Sequence, residues 1–235
     1  MFFLSFSVRY ITPHDFVFKD ESGPCKKLQN HFNNHLSQSF SKSFCINSFV
    51  KTIQHFPSWG AHLRIDGKIH VFFSAIATFH APSDISGISS MRHEHIRATS
   101  SRRRGQALFD TVLVNTNPED GGVHRFEVAC VFFLFSFRYD NKEYPCALTQ
   151  WYLHVGFKPD ADTGLWMVEP DTDDSGDPCL TIIHLDSIYR AVHLLPAHQN
   201  STFVDRSITK HSSLDMFQLF YINKFSDHQS FEVLW

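Results

Sequence analysis

The sequence predicts a mainly β fold, a small barrel or sandwich with a short C-terminal helix, behind a poorly ordered N-terminal segment. Three observations lead there. Short β-type segments follow one another from Ala107 to Pro196, separated by turn-forming residues. One of them, Val128 to Phe137, is a near-unbroken apolar run, the pattern of a central strand covered on both faces. Aromatic residues make up 15% of the 235, and 25 of them are Phe. That composition fits a packed β core better than a disordered chain.

Residues 1–64 differ in pattern from the rest of the chain. Val8 to Phe18 reads as a strand pair broken at Pro13, and Phe32, Leu36 and Phe40 share the four-residue spacing of a helix face. The tract Gln29 to Phe49, rich in Asn, Ser, His and Phe, has no clean period. Residues 65–235 form the β-rich module. Lys68 to Phe79 reads as a β-rich run that ends at Ala81-Pro82, Ser83 to Ser90 as a loop, and Met91 to Arg104 as an arginine-bearing segment whose helical reading is short. Leu108 to Thr116 reads as a strand stopped by the turn Asn117 to Gly122.

Phe126 to Tyr139 and Glu143 to His154 form the clearest hairpin. They are joined through Asp140-Asn141-Lys142, where Asp and Asn tolerate left-handed backbone angles. Leu165 to Glu169 and Leu180 to Leu185 are strands around an acidic loop. Ile188 to Leu195 reads as a short element of either kind, closed by Pro196. Ser213 to Phe220 makes one or two helical turns, with Ser213 or Asp215 near the cap.

The formal charge of −3 sets up no global field for nucleic acid, although 16 histidines would turn it positive on mild acidification. Cys25, Cys45, Cys130, Cys146 and Cys179 are odd in number, widely spaced and without a C-x-x-C pair. They fit neither a zinc ribbon nor a secreted disulfide framework. The start, MFFLSFSVRY, lacks a cationic region and a cleavage site, so no signal peptide is expected. No run approaches the ~18 apolar residues that span a bilayer. A soluble chain in the reducing nuclear or cytoplasmic compartment is expected, neither secreted nor bound to a membrane.

The strings FFSAIATFHAPSDISGISSMRHEHIRAT, FDTVLVNTNPED and VACVFFLFSF occur in that order, followed by YPCALTQWY, TGLWMVEP, IIHLDSIYRAVHLLP and SLDMFQLFYINKFSDH. From about Val71 onward they resemble the C-terminal portion of fungal transposon-encoded proteins, the Plavaka-type transposases of the CACTA group. The resemblance implies an origin more than an activity. In such proteins the acidic catalytic core lies upstream of this portion, and residues 1–64 do not resemble it. The expectation is therefore a detached, non-catalytic module without cofactor. Its strand order is also similar to the SH3-like and bromo-adjacent-homology (BAH-like) barrels of chromatin proteins.

Two sets of residues are candidates for binding. Arg92, Arg97, Arg102, Arg103 and Arg104, interleaved with His93 and His95, would contact phosphates or act as a localisation patch; the plain alternative is a solvated loop. On a strand, His93 and His95 would project to one side and Glu94 to the other. Tyr144, Trp151, Tyr152 and Trp166 would line a ligand face, with Trp151 and Trp166 on adjacent strands holding a basic side chain by cation–π attraction; core packing is the competing role.

The stretch DTDDSGDPCLTI starts like a calcium loop but ends in Ile182 where a bidentate Glu belongs, so a solvated turn is expected and no metal site. Asp160, Asp162 and the Asp171 to Asp177 cluster crowd one loop, which disfavours two-metal nuclease chemistry. His184 and His193 flank the closing element and could meet in space. These readings converge on an interaction module that contacts DNA or a chromatin protein. The alternatives are a reader of basic peptides such as histone tails, a relic without function, and a metal-dependent nuclease.

Overall fold

The computed structural model describes residues 68–82, 90–99, 107–139, 141–197, 208 and 213–235, together with the strand at 14–17. The fold is mainly β. Its strands are β1 (His14–Val17), β2 (Lys68–Phe72), β3 (Ser74–His80), β4 (Met91–Thr99), β5 (Leu108–Phe109), β6 (Thr111–Asn115) and β7 (Phe126–Tyr139). They continue with β8 (Lys142–His154), β9 (Met167–Pro170), β10 (Leu180–His184), β11 (Ile188–Ala191), β12 (Leu194–Pro196) and β13 (Phe220–Ile222). Among the described residues there are also two short α-helices, α1 (Ser213–Met216) and α2 (His228–Val233).

The long hairpin β7–β8 is the spine. Asn141 turns it with a φ of 59°, the left-handed geometry expected there. On the outer edge of β7, β6 pairs with its first part and β2 with its second. On the outer edge of β8, β10 covers Cys146 to Gln150 and β9 covers Tyr152 to His154. β1, β11, β13 and β12 extend these flanks into a ten-stranded antiparallel sheet that curls into a half-barrel. β3, β4 and β5 form a second, three-stranded sheet.

Both faces of the spine are buried. On one, Phe72, Ala75, Ala77, Ile96 and Ala98 pack against Val112, Ala129, Val131, Leu134, Ala147 and Ile188. On the other, Leu113, Phe126, Val128, Cys130 and Tyr152 pack with Val168, Phe220, Ile222 and Leu234. Alternation along β7 serves both, and a bulge at Phe132 reverses which positions face which core. The register shifts between Val131 and Phe133, so odd positions face the first core before the bulge and the even-numbered Leu134 faces it after. Full burial of each large apolar side chain contributes roughly 1.5–3 kcal/mol.

The segments differ from the sequence expectation where the chain changes sheets. Lys68 to Phe79 is two strands: a bend at Phe73 passes the chain from β2, paired with β7, to β3, paired with β4. Leu108 to Thr116 breaks at Asp110 into β5 on β4 and β6 on β7. The helical reading of Met91 to Arg104 is overturned for Met91–Thr99, where residues 91–97 pair one by one with β3 and Ala98 and Thr99 pair with β5. Its alternation of inward and outward positions satisfies a strand. Ile188 to Leu195 resolves into β11 and β12. The helix expected over Ser213 to Phe220 is a single turn that gives way to β13, and α2 lies further on. Of residues 1–64, β1 is described and pairs with β2; the remaining expectations there fall outside the described residues.

The C-terminal segment is held close to the turn that leads into β7. Gly122, at φ +61°, opens a 3₁₀ turn, and a Cβ built there would lie 2.6 Å from the Trp235 carbonyl oxygen. Gly122→Ala should therefore cost roughly 1–3 kcal/mol in urea unfolding. Gly156→Ala, also at positive φ but facing open space, should cost only the backbone strain, about 1 kcal/mol. Equal losses at the two sites would show that the close approach to Trp235 contributes nothing.

Candidate binding groove around Arg190

Strand β4 sorts its charges by alternation. His93, His95 and Arg97 are exposed on its outward face, as the strand reading of the histidines expects, while Glu94, Ile96 and Ala98 turn inward. Glu94 meets Arg190 of β11, whose side chain is 2% exposed. Arg190 Nη2 donates to Glu94 Oε1 at 3.2 Å, and Glu94 Oε2 accepts the Ala191 backbone N–H at 3.0 Å. The guanidinium also forks onto Asp227, with Nη1 to Oδ1 at 3.0 Å and Nη2 to Oδ2 at 2.5 Å. Its Nε donates to the Ala191 carbonyl, and its plane lies 4.8 Å from the Phe79 ring centre.

Asp227 has two tasks. It caps α2 by accepting the Ser230 N–H at 2.8 Å, and it is the main counter-ion of Arg190. Burial by itself would raise its carboxyl. Hydrogen bonds from Arg190 and the Ser230 amide, with the positive charges of Arg190 and Arg92, outweigh burial and hold it down at about 2. Burial opposes the charge on Arg190 as well, but the two carboxylates more than compensate and keep it protonated.

These groups line one side of a groove of about 420 Å³ between β4, β11 and the C-terminal segment. Asp110, from the break between β5 and β6, also lines it, paired with Arg97. Arg97 grips it through its backbone N–H at 2.8 Å, Nε at 2.9 Å and Nη2 at 3.1 Å. The hydrogen bond from Arg97 to Asp110 and their opposite charges raise the Arg97 guanidinium further, against a smaller loss from burial. Phe109, Val192, Leu194 and Leu214 supply apolar wall. The groove thus combines three carboxylates, two guanidiniums and a greasy floor.

The arginine candidates separate. Arg92 lies half-buried with its guanidinium 4.0 Å from Asp227, Arg97 is committed to Asp110, and Arg102, Arg103 and Arg104 lie outside the described residues. The aromatic candidates do not share a face. Trp151 packs against the core that holds Ala129, directly opposite it in register, while its neighbour Tyr152 is buried in the other core, edge-on to Phe220. Trp166 belongs to that second core, between the rings of His124 and His154. Tyr144 stacks on Phe137 nearer the hairpin turn. Consecutive strand residues point to opposite faces, so Trp151 and Trp166 do not form one aromatic face.

His154 is the polar oddity of that second core. Burial pushes its imidazole down from the ordinary value, and its Nδ1 is buried without a hydrogen-bond partner. His184 engages its own turn at Asp186 and His193 engages Asn223, so each is tied to a different partner.

The acidic loop behaves as turns. Asp160 Oδ2 accepts from the Thr163 N–H and hydroxyl, bonds that hold its carboxyl below the usual range. Asp173 Oδ1 accepts from the Ser175 and Asp177 amides. Among the described residues no cluster of three or more His, Cys, Asp or Glu side chains is placed to hold a metal ion. Nor is any described helix long and apolar enough to cross a membrane.

Sequence reasoning missed Glu94 as a partner, and missed Arg190, Asp110 and Asp227 altogether. Asp227 alone carried a local sign, since Asp-x-x-Ser ahead of a helical turn suits an N-cap.

Removing the cation while both carboxylates remain is the severe change: Arg190→Met should lose about 3–5 kcal/mol of stability. The acid limb gives a second check. The folded Asp227 carboxyl, at about 2, lies below its ordinary 3.8. Its contribution is therefore fully present above about pH 4 and is lost as pH falls through about 2. After solvent screening that loss is on the order of 1 kcal/mol, and that part of the slope should be absent in Asp227→Asn. Wild-type and variant stabilities that fall in parallel below pH 4 would refute the linkage.

Compared with known proteins, the chain matches no family model, no curated protein and no solved structure.

Proposed function

We propose that the chain is a non-catalytic interaction module of transposon origin, and that it holds a basic segment of a chromatin protein in the groove around Arg190. One observation carries the reading: the groove lining holds three carboxylates, Glu94, Asp110 and Asp227, together with the guanidiniums of Arg97 and Arg190 and the apolar side chains of Phe109, Val192, Leu194 and Leu214. The carboxylates offer acceptors to a cationic side chain, and the apolar side chains receive its methylene stem. Arg97 already shows how Asp110 accepts a guanidinium, through two side-chain hydrogen bonds at 2.9 and 3.1 Å. The volume falls within the roughly 300–1,000 Å³ of ordinary ligand sites. The use of Asp160 and Asp173 inside their own turns supports a role other than nuclease chemistry.

A second reading, contact with duplex DNA, draws on the exposed outward row His93, His95 and Arg97, which precedes Arg102, Arg103 and Arg104 in the chain. The two readings separate in one titration series. A labelled Lys/Arg-rich peptide should bind with micromolar affinity, an acidic peptide should not, and Asp110→Asn should weaken the basic peptide by about five- to tenfold. Equal binding of the acidic peptide overturns the groove reading. Duplex binding with a salt slope of roughly three to four phosphates, abolished when Arg102, Arg103 and Arg104 are all changed to Ala, would put DNA first.

A further inference from the structure

Half of the exposed large apolar side chains among the described residues sit together at the C-terminal segment. Phe225, Phe231 and Trp235 are 62%, 37% and 77% exposed. Their rings are neighbours, with centres 5.9 Å apart for Phe225 and Phe231 and 5.2 Å for Phe231 and Trp235. Lys224 lies across all three: its ammonium is 5.4 Å from the Phe225 centre, 6.0 Å from Phe231 and 4.7 Å from Trp235. Three rings within reach of one cation form a cup, and the chain's own ammonium shows that a cation fits it.

We propose that this cup is a binding site for the quaternary ammonium of a methylated lysine, and that Lys224 is its resident stand-in. The proposal rests on the groove reading for the source of that lysine. Asp227, a wall of the groove, lies between Phe225 and Phe231 in the chain and caps the helix that carries Phe231. Cup and groove thus draw on one short segment, residues 224–235, and in this proposal a basic peptide held in the groove offers a second cation to the cup.

The exchange is favourable for a physical reason. A primary ammonium is compact and strongly hydrated, so it gives up much on leaving water for aromatic faces. A trimethylated ammonium spreads its charge over an apolar surface and loses less. The rings supply both the attractive π-face and the apolar contact. Lys224 stands in a turn and can swing into solvent when displaced.

The experiment uses the full chain and begins with tetramethylammonium chloride, read by tryptophan emission against equal sodium chloride. A saturable change is expected, lost in Phe231→Leu and reached at about fivefold lower concentration in Lys224→Gln, which empties the cup. A linear, salt-like response, or a Lys224→Gln variant with unchanged half-saturation, overturns the proposal. A basic peptide carrying one trimethyl-lysine should then bind about five- to tenfold tighter than its unmodified form, with that preference removed by Phe231→Leu. Preference for phosphocholine vesicles over the methylated peptide would overturn the peptide source. Failure of the unmodified peptide to depend on Asp110, with tetramethylammonium saturation intact, sinks the groove and leaves the cup. The reverse sinks the cup and leaves the groove.

Discussion

The buried Arg190 guanidinium is the interaction on which the arrangement of this molecule depends. It joins Glu94 on β4, its own strand β11 and Asp227 at the head of α2, three segments remote in sequence. An ion in that setting is weak evidence of net stability, because desolvation offsets most of the Coulombic gain. Its value is geometric. Once Arg190 is buried, both carboxylates must be where they are, and Phe79 must offer its face from the other side. The hairpin of the small sheet, the edge of the large sheet and the C-terminal segment are therefore tied together at a single side chain, in addition to the packing of their shared cores.

The groove is a consequence of that fixing. The β7–β8 spine buries both faces, so the surfaces open to a ligand are displaced to the margins where short strands change sheets. Phe73 and Asp110 mark two such changes, and Asp110 turns its carboxylate to the groove at the point where the chain leaves β5 for β6. The bulge at Phe132 shifts the register of β7, so that even-numbered Leu134 joins the core that Ala129 and Val131 face before it. Breaks in regular structure thus supply the polar atoms, and regular structure supplies the rigidity beneath them.

Three groups of charged residues have distinct tasks. Those of the acidic loop serve turns, as the bonds of Asp160 and Asp173 show. Arg92, Glu94, Arg97, Asp110, Arg190 and Asp227 largely neutralise one another around the groove. Lys224 is set against three aromatic rings at once. A module built so would hold partners by local charge and shape, in keeping with its near-neutral overall balance.

The sequence by itself determined the β class, the central hairpin with Asn141 at its turn, the doubly buried apolar strand and the turn nature of the acidic loop. Each rests on local physics: an apolar run in β7, a residue tolerant of positive φ, and carboxylates that satisfy amides a few residues away. It also placed His93 and His95 opposite Glu94, because alternation along a strand is local. Only the tertiary structure decided that Trp151 and Trp166 lie in different cores, that Met91–Thr99 is a strand, and that Glu94, Asp110, Arg190 and Asp227 share a site. Pairing with β3 and β5 overrode any helical preference of Met91–Thr99, and nothing near Arg190 in sequence announces partners 96 residues before it and 37 after it. Burial of a charge is set by which distant segments close over it, and that closure is a property of the whole fold.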